Sequence, residues 1–217
     1  MARFGEFGRW LTEGRGVEAY QAAIVPTVIK KTSYGERGQD IFSHLLENRV
    51  IFIGTPINDM VANVTVAQLL FLESENKKQD VHLYIHSPGG LITGGLAIYD
   101  TMQLVKCDVA TYVVGHAFSM AAVLLAGGTP GKRFALPHSR VMLHQPWGDM
   151  EGTAADISIH AEEMVKLKRW INEILAKHTG QPLERVEKDA DQEFYMAAED
   201  AKAYGLVDEI LSSGSGE

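Results

Sequence analysis

Val109-Ala110-Thr111-Tyr112-Val113-Val114 is a β-branched and aromatic run, Gly115-His116-Ala117-Phe118 follows it, and after Ser119 comes Met120-Ala121-Ala122-Val123-Leu124-Leu125-Ala126. The first piece reads as a strand, the second as a sharp connection and the last as a small-residue helix that begins directly behind the serine. A serine at a strand-to-helix turn is exposed at its tip, and the helix N-terminus favours negative charge developing there. Taken alone, Ser119 reads as a helix-cap serine, since serine is a favoured cap residue.

The same alternation extends on both sides. Upstream, Arg49-Val50-Ile51-Phe52-Ile53 reads as a buried strand ending at Gly54, and Val81 to Ile85 as another. Between them Asn58 and Asp59 are cap candidates, with Met60, Val64, Ala67 and Phe71 recurring at helical spacing. Ser87-Pro88-Gly89-Gly90 is a turn, and Leu96, Tyr99 and Met102 mark one face of the next helix. Downstream, Arg140 to Leu143 is a strand, with His144 at its end and Pro146 stopping the ladder. The longest helical pattern runs from 154 to 178 with Ile157, Met164, Leu167, Ile171 and Ile174 on one face, and ends at Lys177, His178, Gly180 and Pro182. A short helix around Ala197 to Tyr204 and an apolar strand from Leu206 to Leu211 close the chain. Strands alternating with amphipathic helices are the pattern of βαβ units and so of an α/β fold.

Ser119, His144 and the acidic run from Asp189 to Glu193 supply the three chemical types of a serine-hydrolase triad. A serine hydroxyl is a poor nucleophile at neutral pH; it needs an imidazole to take its proton and a carboxylate to hold that imidazole in the right tautomer.

The bulk numbers narrow the class. At 217 residues the chain suits one sizeable core, and 46% hydrophobic with 22% charged residues is ordinary for a soluble domain. A net charge of −8 opposes nonspecific attraction to nucleic acid or anionic membrane. One cysteine, Cys107, permits no intrachain disulfide, and no CxxC or paired-histidine spacing marks a zinc site, so no metal is expected. No apolar run reaches the roughly 18 residues a span requires. A cytoplasmic location is expected.

Tyr-Gly-Glu-Arg at 34–37, Ser-Pro-Gly-Gly at 87–90, Ile-Tyr-Asp-Thr-Met-Gln at 98–103, His-Gln-Pro at 144–146, His-Thr-Gly-Gln at 178–181 and Ala-Tyr-Gly-Leu-Val-Asp at 203–208 follow one another in order. With them the chain, from about Val25 to Leu211, resembles the proteolytic subunit of the Clp protease, the ClpP family. The resemblance implies an α/β crotonase-like ββα spiral in a single domain over 23–211, with the long helix from about 154 as a handle between rings. It implies an extension or propeptide at 1–22, a flexible tail at 212–217, and a mature start near Ala23 or Ile24. By position Ser119 matches the nucleophile, His144 the general base, and Gly90 and Met120 the residues whose N–H groups form the oxyanion hole. Tyr84, Tyr112, Val114, Phe134, Leu136 and Leu211 match the ATPase-docking pocket, and Pro26 to Gly38 the axial pore loops. The implied partners are the chain itself or paralogous subunits in two stacked heptameric rings, a hexameric Clp ATPase unfoldase, and unfolded protein substrates. No cofactor is implied, because ATP is used by the ATPase.

Departures from the family pattern also matter. Glu193 stands where the triad aspartate is expected, and its extra methylene moves the carboxylate roughly 1.5 Å, when a 1 Å misplacement can cost about a hundredfold. Asp191 is an alternative acid, sharing a face with Glu193 if both lie on a strand; Asp189 reads as solvated surface. Gln192 replaces an arginine that pairs across the ring contact. His86, His116 and Phe118 replace other family residues, Phe118 being the change expected to reshape the first substrate pocket, and Trp147, Asp149 and Glu151 suggest an altered substrate groove. Besides an active serine endopeptidase, these departures admit a weakly active or inactive structural subunit of a mixed ring, like the family's ClpR members. The shared fold also admits an acyl-CoA enzyme.

Overall fold

The computed structural model describes residues 25–32, 35–148 and 151–212. The expected extension at 1–22, the start near Ala23 or Ile24, and the tail beyond Ser212 lie outside the described residues. The chain divides after Asn48 into two compact units. In the first, β1 (Thr27–Thr32) pairs antiparallel with β2 (Gly35–Asp40), and Pro26 to Gly38, matched to the pore loops, falls on this hairpin. Asp40 then caps α1 (Ile41–Glu47), its carboxylate accepting the Ser43 amide at 2.9 Å.

The second unit opens at Arg49, a non-glycine residue at φ 62°. Its guanidinium donates to four backbone carbonyls, those of Asp80, Leu72, Asn76 and Gln79, at 2.9 to 3.0 Å. These bonds tie the start of β3 (Val50–Ile53) to the end of α2 (Asp59–Glu75) and to the approach to β4 (Val81–Ser87). Then come α3 (Ile92–Leu104), β5 (Val109–Phe118), α4 (Met120–Ala126), β6 (Arg133–Ala135) and β7 (Arg140–Leu143). The chain ends with α5 (Ala154–Thr179), α6 (Leu183–Asp189), β8 (Phe194–Ala197), α7 (Ala198–Tyr204) and β9 (Glu209–Ile210). The seven-stranded sheet has the order β3-β4-β5-β6-β9, with β7 on β5 and β8 on β7; every pairing is parallel except β7 with β8. This is the α/β architecture that the resemblance implied.

β5 forks the sheet. Its first half pairs with β6 (Thr111 to Val113) and its second half with β7 (His116 to Phe118). Gly115 sits at the fork with φ 76°, a left-handed conformation open to glycine at little cost. The expectation that Gly115 to Phe118 is a connection is therefore corrected: the glycine bends the strand without ending it, so the ladder continues to the residue before Ser119.

Behind the sheet, all seven residues of α4 are buried, and the helix packs on β5, α3 and α5. In α2 the sequence face is reversed. Ala62, Thr65, Leu69 and Leu72 are buried, whereas Met60 is 73% exposed and Val64 and Phe71 are exposed too. Apolar residues surround this helix, so two faces carry helical spacing and periodicity alone does not choose between them. The closing strand is also shorter than expected: Leu206 and Val207 are buried without pairing, and only Glu209–Ile210 joins β6. Buried Arg133 holds this segment, donating to Asp208 at 2.6 and 2.9 Å and to the His178 carbonyl at 2.9 Å.

Candidate active site

Ser119 stands between the end of β5 and the start of α4 with φ 55° and ψ −126°, a region that a side chain adopts only under strain. Its N–H donates to the Met142 carbonyl at 2.9 Å, and its own carbonyl accepts from Ala122 and Val123. The backbone thus begins the helix, while the hydroxyl makes no cap hydrogen bond. Oγ lies instead 2.9 Å from Nε2 of His144. His144 follows β7, whose register against Phe118 brings the histidine beside the serine. The imidazole is half-buried, and burial lowers its pKa below the usual histidine value, opposed by the negative charge of Glu193. A neutral imidazole at neutral pH is the form able to accept the serine proton.

The Ser87 to Gly90 turn packs on Ser119. Gly89 has φ 90°, and a Cβ there would stand 2.6 Å from the Phe118 carbonyl oxygen and 2.7 Å from Ser119 Cβ. Ser87 Oγ braces the turn, donating to the Thr55 carbonyl at 2.7 Å and accepting from Gly89 N–H at 3.2 Å. Ile57 pairs across Gly90, donating to the Gly89 carbonyl and accepting from Leu91, both at 2.8 Å. Among the described residues, the N–H groups of Gly90 and Met120 have no hydrogen-bond partner. Beside Ser119 and His144 opens a small cavity lined by Ile92, Met120, Val123, Leu143, Pro146 and Ile171.

The acidic residues are placed less simply. Glu193, just before β8, is exposed; its Oε2 accepts from Tyr195 Oη at 3.2 Å, and no hydrogen bond joins it to His144. Asp191 is not on a strand. It lies in the turn after α6, where Gln145 Nε2 donates to its backbone carbonyl at 2.9 Å and its carboxylate at 3.3 Å, and Lys168 approaches at 3.6 Å. Lys168 also donates to Gln145 Oε1 at 2.7 Å, so α5, the residue after His144 and the acidic turn are linked. Asp189, expected as solvated surface, is half-buried and accepts from Tyr204 Oη at 3.1 Å. Gln192 is exposed.

Phe118 does not line the cavity beside Ser119; it packs against His116 at 4.7 Å and edge-on against Tyr195 at 5.6 Å. Trp147 and Glu151 are exposed, and Asp149 lies outside the described residues. The rings of Tyr84, Tyr112 and Phe134 are in register on β4, β5 and β6 and stack at 4.5 and 4.9 Å. His82 shares a 3.0 Å hydrogen bond with Tyr112 Oη. Leu136 directly follows β6 and Leu211 directly follows β9, their N–H groups donating to the Val113 and Ala135 carbonyls, and Val114 lies inside β5, one residue before the fork. Residue type at strand ends and the family resemblance pointed to Ser119 and His144; the Gln145–Asp191–Lys168 link and the Tyr195 hydroxyl carry no sequence signal, because each depends on which side chains meet across separate elements. Among the described residues, no group of three or more His, Cys, Asp or Glu converges as a metal site, and no helix is long and apolar enough to cross a membrane.

The family model described as Clp protease matches residues 33–214 of the 217, a span that includes Ser119, His144, the Ser87 to Gly90 turn and Glu193. The chain belongs to the Clp protease family.

Proposed function

We propose that this chain is a serine endopeptidase subunit that cleaves unfolded polypeptides through an acyl-enzyme. Clp proteases are peptidases that generally form rings and work with Clp ATPases. On that basis we assign the chain to two stacked heptameric rings of itself or paralogous subunits, fed by a hexameric Clp ATPase docked on the Tyr84, Tyr112, Val114, Phe134, Leu136 and Leu211 surface.

The observation that carries the reading is the 2.9 Å approach of Ser119 Oγ to His144 Nε2 at a strained turn. As Oγ bonds to the scissile carbonyl carbon, its proton passes to Nε2. The imidazolium then gives that proton to the leaving amine. In the second half, His144 takes a proton from water as the water oxygen attacks the acyl carbon, and returns it to Oγ. Gly90 and Met120 offer their N–H groups to the oxyanion, and one well-placed donor is worth about 3–4 kcal/mol. Glu193 contributes negative charge that favours the imidazolium.

Intact mass after treatment with a fluorophosphonate probe tests the reading. We expect one adduct per subunit of the assembled protein and none on Ser119→Ala. The absence of a hydrogen bond between Glu193 and His144 favours a second reading, a structural subunit of low activity; no adduct on assembled rings would establish that one instead.

A further inference from the structure

Glutamate is a demanding choice for a triad acid. It has one more rotatable bond than aspartate, and an exposed carboxylate left free spreads over many rotamers. In Glu193 one oxygen is held: Tyr195 Oη donates to Oε2 at 3.2 Å. The two residues are two apart at the entrance to β8, so they share a side of the chain.

The tyrosine ring is itself held from the nucleophile's strand. Phe118, which immediately precedes Ser119, stands edge-on to it with centroids 5.6 Å apart and planes at 88°. Strand register explains the contact, since Phe118 is opposite Met142 and Met142 is opposite Tyr195. The row continues through His116, 4.7 Å from Phe118, to His86, 4.4 Å from His116. A line of rings across the sheet therefore ends in the hydroxyl that grips Glu193.

We propose that Tyr195 is a positioning residue: by holding Oε2 of Glu193 it confines the longer carboxylate and leaves Oε1 for Nδ1 of His144. Phe118 supports the tyrosine ring, so the turn that presents Ser119 and the hydroxyl that aims the acid are built on one sheet face. The inference rests on the reading of Glu193 as the third triad member. The opposite effect, a hydroxyl that holds the acid away from the imidazole, would give the opposite sign in experiment.

The test compares wild type, Tyr195→Phe, Glu193→Gln and the double variant as assembled particles, with kcat and KM on a small fluorogenic peptide and the rate of fluorophosphonate labelling. Tyr195→Phe removes one oxygen from a residue 43% exposed, so assembly is retained, which light scattering verifies. Tyr195→Phe is expected to lower kcat and labelling about 5- to 10-fold at unchanged KM, the scale of one partly exposed hydrogen bond to a charged group. In the Glu193→Gln background it should cost nothing further. A slow Glu193→Gln beside an unchanged or faster Tyr195→Phe overturns the positioning role and leaves Glu193 as the acid. A Glu193→Gln at the wild-type rate overturns both. An equal loss from Tyr195→Phe in the presence and absence of Glu193 means that the hydroxyl acts elsewhere, and also overturns the proposal.

Discussion

Ser119 keeps a conformation that costs of order 1–3 kcal/mol because its neighbours leave it no other place. Gly89 is the tightest of them, and Gly89→Ala would press a methyl group into the Phe118 carbonyl and Ser119 Cβ. We expect that variant to lose at least about a hundredfold in peptidase and probe-labelling rate, since the nucleophile must shift by roughly an ångström; near-normal labelling would show that the turn yields elsewhere. In the proposed mechanism His144 sets the pH dependence. Its neutral form is the base, and burial lowers its pKa, so the acid limb of kcat/KM should fall below the ordinary histidine value of 6.5. Glu193 pulls the other way. In Glu193→Gln the limb should move to still lower pH while the plateau drops, and a limb moving upward would mean that Glu193 does not act on His144. Ser119 and His144 were legible because each stands at a strand end and matches, by position, the nucleophile and base of the family that the chain resembles. The arrangement of the acid was not, because a chain of hydrogen bonds from Lys168 through Gln145 to Asp191, and another from Tyr195 to Glu193, leaves no periodic trace.

Elements were legible where one pattern excluded its rivals. The long helix α5 has a capping box at Thr153 and Asp156, basic residues in its last turn and Gly180 after it, so both ends could be read. The inward face of α2 could not be, since its apolar residues surround the helix. The end of α5 also carries a stability switch. His178 Nε2 lies 2.8 Å from Tyr99 Oη, and burial, with Lys177 and Arg133 adding to it, lowers the His178 pKa to about 4. The unfolded chain, with an ordinary histidine, takes up a proton as pH falls through about 6.5, whereas the folded chain resists until about pH 4. This contribution is therefore intact above pH 6.5 and lost between about 6.5 and 4. It amounts to about 1–2 kcal/mol once solvent screening of a half-buried ring is allowed for. Urea unfolding at pH 7 and pH 4.5 should show His178→Gln less stable than wild type at pH 7 and less sensitive to the acid step. Equal pH sensitivity would place the proton uptake on other groups.

For the molecule as a whole, the decisive feature is apolar surface that the chain does not bury by itself. None of the residues 154–170 of α5 is buried, and its buried side chains, Ile171, Asn172 and Leu175, all lie in the last third of the helix. A 26-residue helix is about 39 Å long, and a stretch without packing on one face is marginal in water. Within that stretch Ile159 is 65% and Val165 67% exposed. Covering each in a contact between subunits would contribute about 1.5–3 kcal/mol, and the sevenfold repetition of the proposed ring would multiply that contribution. Ile159→Asp should therefore leave the chain's own stability within about 0.5 kcal/mol, because the side chain has little to lose in the isolated fold. It should weaken pairing strongly, since a carboxylate would have to be buried without a partner. If α5 joins ring to ring, sedimentation velocity will show the particle falling to half its mass while the helical circular dichroism is retained. A particle of unchanged mass would mean that α5 is not the contact, and the exposed apolar face of α2, with Met60, Val64 and Phe71, would be the next surface on which to place a charge.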